Sequence, residues 1–272
     1  RGRPERALRR EMDLFVLFGA LGSIASAGML QISMVVASNL GAGNAYAPAL
    51  QLVTPLSMIA QAMTLVLYPS MAQAQGAGDA ERLRRQTDLT TRAFVAGLVP
   101  LFGAMAIVSR PLVELVWVGR YPGAEFVLPT FCVALLSTNL AAPSVSAVTS
   151  GEHRNMWYSL LLSQAGLIVA IITWVAVGGS LGAGGVALGY GLGAFTTAAG
   201  LFVVAWRLTS QRWGLLAGQV LLGLATIAAL SWWRLTQPAN TWLDIATAVA
   251  FGLGWLALSH RTVRAVIAAR RS

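Results

Sequence analysis

Residues 14–78 read LFVLFGALGSIASAGMLQISMVVASNLGAGNAYAPALQLVTPLSMIAQAMTLVLYPSMAQAQGAG, 65 residues without one charged side chain. A helix crossing a bilayer takes about 20 apolar residues. The run is therefore long enough for two helices and a turn. Gly41, Gly43, Asn44 and Pro48 are breakers and set that turn at residues 39–48. Working outward, residues 155–206 form a second uncharged run, of 52 residues. It divides at Gly178, Gly179, Ser180, Gly182, Gly184 and Gly185. Residues 93–109, 126–151 and 213–233 each hold one span, and residues 243–259 a last one with Asp244 at its edge. The expectation is an all-α integral membrane protein with spans at 14–38, 48–72, 90–109, 126–148, 156–177, 182–206, 213–232 and 242–259.

Composition agrees. The 272 residues are 56% hydrophobic and 11% charged, with a mean hydropathy of +0.67. A soluble domain carries about 25% charged residues, and disorder needs low hydrophobicity with high charge. The net charge of +9 comes from nineteen arginines and no lysine. In a soluble protein such an excess suggests nucleic acid. Here the arginines sort by side. Eight spans put both ends on one side, and sixteen arginines fall in the connections there, against Arg110, Arg120 and Arg234 on the other. By the positive-inside rule the termini are cytoplasmic, and the cations orient the chain against anionic headgroups rather than nucleic acid. Trp117, Tyr121, Trp157, Tyr158, Trp206, Trp213, Trp232, Trp233 and Trp242 sit near span ends, where interfacial aromatics collect.

Signals of enzyme chemistry are sparse. His153 and His260 lie in connections without a ligand-spaced partner, and Cys132 is the single cysteine. No metal site or disulfide framework is expected, nor any cofactor. Gly182, Gly184, Ala187 and Gly189, Gly191, Ala194 imitate a dinucleotide fingerprint, but they lack the strand before and the acid after. Glu114, Glu125 and Asp244 are the acids on the arginine-poor side; the first two flank a short amphipathic piece at 111–118 and are read as solvated. Gly185, Gly189, Gly193 and Thr197 repeat at every fourth position, a spacing that lets helices approach closely.

The polar residues of the second helix carry the functional reading. Gln51, Thr54, Ser57, Gln61, Thr64 and Tyr68 recur at steps of three and four and share one face. Polar groups facing lipid cost free energy, so the stripe faces either protein or water. Interhelical hydrogen bonding and a cavity wall both fit. Gln31, Asn139 and Gln164 are single polar positions of the same kind. No ionisable residue sits at the centre of a span. Arg92, near the cytoplasmic end of the third, either snorkels to the headgroups or attracts a phosphate at a cavity mouth.

Several short elements then fall in order. Tyr46-Ala47 opens the second helix, which ends in Leu67-Tyr68-Pro69-Ser70-Met71-Ala72 before a loop with Arg82, Arg84 and Arg85. Pro100 lies in the third helix. Arg110-Pro111-Leu112-Val113-Glu114-Leu115-Val116-Trp117-Val118-Gly119-Arg120-Tyr121 follows, and then Ser150-Gly151-Glu152-His153-Arg154-Asn155. In order, spacing and sidedness this resembles the C-terminal half of a polysaccharide flippase of the O-antigen and teichoic-acid type. That type belongs to the multidrug/oligosaccharidyl-lipid/polysaccharide exporter superfamily. The resemblance covers residues 12–210, and more loosely the rest.

The resemblance implies two six-helix lobes around a central cavity, some members adding two C-terminal helices. On that template residues 1–12 are a basic cytoplasmic link to an N-terminal lobe that precedes Arg1. Residues 13–208 are the second lobe, 209–260 the additional pair and 261–272 a basic cytoplasmic tail. The implied function is alternating-access flipping of isoprenoid-pyrophosphate-linked oligosaccharide or polysaccharide precursors across the bacterial inner membrane, without covalent chemistry. Its partners are the bilayer, the lipid-linked glycan and the first lobe. Gln31, Gln51, Thr54, Gln61, Tyr68, Asn139 and Gln164 would line the cavity, and Arg92 would meet the pyrophosphate. The rival readings are a multidrug cation antiporter of the same superfamily, and a self-contained membrane enzyme or subunit of glycan or lipid assembly.

Overall fold

The computed structural model describes residues 2–149, 153–210 and 213–260, with 262 and 264 beyond them. All its regular structure is helical: α1 (Gly2–Asn39), α2 (Gly43–Gly76), α3 (Ala80–Ile107), the short α4 (Ser109–Trp117), α5 (Ala124–Thr149), α6 (His153–Thr173), α7 (Gly179–Leu208), α8 (Gly214–Thr236) and α9 (Thr241–Leu258). No strand occurs among the described residues. Six stretches are long and apolar enough to cross a membrane, and the chain is an all-α multi-pass membrane protein.

One of the six, 157–208, is 52 residues long and doubles back. A π-helical turn at Trp174–Gly178 leads into α7, and Gly182 breaks it with φ 53° and ψ −129°. Only glycine reaches that backbone without a Cβ clash. The limbs then run antiparallel. A methyl on Gly193 would lie 2.5 Å from the Gly166 carbonyl and 2.9 Å from Ala170 Cβ, and one on Gly189 would strike Trp174. The Trp174 indole donates to the Val186 carbonyl at 2.9 Å, and Thr197 donates to Leu162 O at 3.1 Å. The small-residue repeat is thus spent on packing within the chain. Glycine contacts of this kind let van der Waals attraction act where hydrophobic force between helices is absent.

α5 is the central helix and packs on α2, α3 and α7, while α6 packs on α7 and α1. Its Leu128, Phe131 and Leu136 are fully enclosed, as are Val53 of α2 and Phe102 of α3. Tyr46 of α2 meets Phe131 edge to face at 4.8 Å between centroids. Its hydroxyl donates to Ser33 of α1 at 2.6 Å. α8 and α9 are seated on the flank of α3. Gly103 of α3 makes room there for Phe251 and Ile227, and Trp255 of α9 donates to Val95 O at 3.0 Å.

The connections gather at two ends. At one, Gly123 approaches Ala45, Gly178 approaches Leu40, and Arg110 donates to Leu235 O and Gln237 O at 3.0 and 3.1 Å. At the other, Trp213 donates to Asp88 at 2.8 Å and Gln219 to Ser259 at 3.1 Å. Among the described residues the first end holds Arg110, Arg120 and Arg234, and the second Arg82, Arg84, Arg85 and Arg207.

Two expectations are corrected. The first turn is only residues 40–42, because α2 begins at Gly43 and takes Pro48 inside it. Trp213 is not an interfacial aromatic: it is wholly buried, stacked on Phe202 at 4.7 Å. The connection at 150–152 and most of the tail from 261 lie outside the described residues.

Candidate functional site

The polar stripe of α2 straddles the border of its packed face. Val53, Ser57 and Ala60 are buried on the side where α2 meets α5. Gln51, Gln61 and Tyr68 point outward, with apolar Met58, Leu65 and Val66 also exposed around them. Thr54 and Thr64 are half-buried and donate to the carbonyls four residues earlier, Leu50 O at 2.8 Å and Ala60 O at 3.0 Å. Their hydroxyls are therefore satisfied within the helix. The amides of Gln51 and Gln61 and the phenol of Tyr68 make no hydrogen bond to any described residue. Gln31 is likewise exposed, on α1. It lies about as many residues before the tight turn as Gln51 lies after it, so the two share a depth.

The other expected residues are placed elsewhere. Asn139 is 6% exposed. Its amide donates to Ser57 Oγ at 3.1 Å and to Leu135 O at 2.8 Å, tying α5 to α2. It is part of the interior rather than of the outward face. Gln164 on α6 is half-buried. Arg92 forms an ion pair with Asp88 one turn earlier, Nε to Oδ2 at 2.9 Å. Asp88 uses its other oxygen to accept from Trp213. Leu83, on the opposite side of α3, clusters with Met71 and Ala74 of α2. The width of α3 therefore separates Arg92 from the stripe, and the structure does not bring the two together.

Asp244, the acid at the edge of the last span, is 2% exposed. Its carboxylate takes a 2.6 Å charge-assisted hydrogen bond from Arg234 Nε, joining α9 to α8. Arg234 is equally buried, and its Nη1 and Nη2 have no partner in the structure. The sequence carried a signal for this pair: apart from them, α8 and α9 hold no charged residue. Glu114 is exposed, and Glu125 accepts from Gly123 N–H at 3.0 Å at the head of α5.

A partly open space lies away from the stripe. A slot of about 190 Å³ separates α7 from α8, with α3 and α5 behind it. These two helices follow one another in sequence yet do not pack along their lengths. Val95, Leu140, Phe195, Phe202, Val220 and Leu224 are among its walls. Its two hydroxyls are satisfied, Thr91 on Thr87 O and Ser137 on Val133 O. No group of His, Cys, Asp or Glu among the described residues is placed to hold a metal ion.

Fold and surface together define a class: a multi-pass helical membrane protein with an uncharged amide-and-phenol line on the open side of its first two helices. Comparison with protein-family models finds none that matches the chain, and comparison with curated proteins finds none either.

Proposed function

We propose that this chain is the C-terminal lobe of a membrane transporter that flips lipid-linked oligosaccharide or polysaccharide precursors across the bacterial inner membrane. In this reading α1 and α2 form one wall of the path and α8–α9 is an added pair. The observation that carries it is the line Gln51–Gln61–Tyr68, with Gln31 at a matching depth on α1, exposed and without partners among the described residues. Such groups are costly against hydrocarbon, so water or a second lobe covers them. Amides and a phenol offer both donors and acceptors without charge, which suits a hydroxyl-rich glycan better than a cation. The long helices also suit the assignment: α2, at 34 residues, extends about 51 Å, beyond the roughly 30 Å hydrocarbon core. The order of motifs described above supports the polysaccharide exporter family. Repeat-built transporters bind at the interface of their repeats, near the bilayer midplane.

The test uses the full-length protein in cells, with Cys132→Ala as background. Gln51→Cys and Gln61→Cys should react with a hydrophilic, membrane-impermeant maleimide, while Val66→Cys should not. Gln51→Leu with Gln61→Leu should lower glycan export severalfold at unchanged protein level. Unreactive cysteines at 51 and 61, together with full export by the double leucine variant, would overturn the reading. The line would then be buried glue against another subunit.

A further inference from the structure

We propose that Arg234 holds a small monovalent anion, of chloride size, where α8 and α9 meet the junction of α3 and α4. This goes beyond the transport reading and does not depend on it. Arg234 is buried, and its pairing with Asp244 uses Nε alone. Its Nη1 and Nη2 are enclosed and make no hydrogen bond to any described residue. Trp233 lies against the guanidinium, its ring centroid 5.4 Å from Cζ, and takes none of these protons in a hydrogen bond. An arginine fork carries several donors and no acceptor, so one carboxylate oxygen leaves most of it unused. Buried donors on a charged group are the costliest to leave unmet. Two other buried groups share the lack of a partner, the hydroxyls of Ser109 and Ser231.

Helix register puts these groups at one level. Ile227, Ser231 and Arg234 share the buried face of α8. Gly223 of α8 faces Val99 of α3, and one turn on Ile227 faces Gly103. The next turn sets Ser231 level with Ile107. Arg110 then donates to Leu235 O at 3.0 Å. Ser109 stands between Ile107 and Arg110, hence at the level of Ser231 and Arg234. Charge and donor type select the ligand. All four orphaned atoms, Nη1, Nη2 and the two hydroxyl oxygens, can donate. An anion only accepts, whereas a buried water makes about three hydrogen bonds and gives some of them as donor. Asp244 neutralises one guanidinium, and Arg110 brings a second to the same end of α8, while Glu114, one turn beyond it, is exposed. Two cations against one enclosed carboxylate leave one positive charge to be met. The enclosure of all four atoms suits a monatomic ion rather than a lipid phosphate with its tails. Arg234 is two residues from the end of α8 at Thr236, so the ion has a short way in from the aqueous side.

The test follows the Tm of the full-length protein in mild detergent, in sodium chloride and in sodium gluconate at equal ionic strength. Chloride and bromide should raise Tm in a concentration-dependent way, as any ligand of the native state does, and gluconate should not. Ser109→Ala and Ser231→Ala should each raise the chloride concentration needed for half the effect about tenfold, since each removes a hydrogen bond to a charged group. In gluconate the same two variants should be as stable as wild type or slightly more so, because they delete a buried hydroxyl that has no other partner. Arg234→Met with Asp244→Leu should abolish the difference between chloride and gluconate. If that double variant fails to fold, the two serine variants carry the test. A wild-type Tm equal in chloride and gluconate at every concentration would overturn the proposal. So would a chloride effect of unchanged midpoint in both serine variants, or stabilisation by phosphate without any by halide.

Discussion

Arg234 and Asp244 are each close to fully enclosed, and a single 2.6 Å contact joins them. Removing one partner of such a pair leaves a buried charge uncompensated. Asp244→Asn should therefore destabilise the protein by about 3–5 kcal/mol, read as a lowered Tm in detergent. Replacing both, Arg234→Met with Asp244→Leu, should recover most of the loss, because apolar side chains carry no desolvation cost. A double variant as unstable as the single one would show that the pair does more than neutralise itself. At this scale the sequence was informative about kind and silent about partner. Ser57 and Asn139 are both visible as polar positions within spans. Their hydrogen bond depends on the rotation of α2 against α5, which no spacing encodes. Asp244 is visible as an acid at the edge of the last span, but its pairing with Arg234 depends on the approach of α9 to α8, which no spacing encodes either.

Helices α6 and α7 meet through glycines whose missing side chains set the distance of approach. Gly193→Val would drive a branched carbon into the Gly166 carbonyl, 2.5 Å from its Cβ. That change should cost several kcal/mol by overpacking and should abolish recovery of folded protein. Gly191→Ala, whose Cβ would find Ala134 at an ordinary 3.6 Å, should be recovered like wild type by size-exclusion chromatography. Equal recovery of the two would mean that α6 and α7 are not held this closely. The elements themselves were legible, since charge-free runs and breakers located the spans to within a few residues in most cases. The π turn before Gly182 and the gap between α7 and α8 were not. The gap arises because α8 follows α3, into the space left by Gly103 and Gly223, instead of its neighbour in the chain. Hydropathy reads each helix by itself and cannot register which neighbour it chooses.

The bundle as a whole has an arginine-rich end and an arginine-poor end, and this division was readable from the sequence because loop cations follow the direction of insertion. In the Cys132→Ala background, Leu40→Cys and Ala239→Cys belong to one end, and Ala77→Cys and Ser210→Cys to the other. An impermeant reagent applied to intact cells should label the first pair, and the second only after permeabilisation. Labelling of both pairs from one side would require a different number of crossings. The first end has a further property. Its connections are residues 40–42, the short α4 with 118–123, the reversal at Gly182 and residues 237–240. None is a long loop. An antibody approaching from that side meets a low, nearly continuous floor of helix ends rather than a flexible epitope. A peptide tag for detection, placed there, would have to interrupt a short turn between two helices.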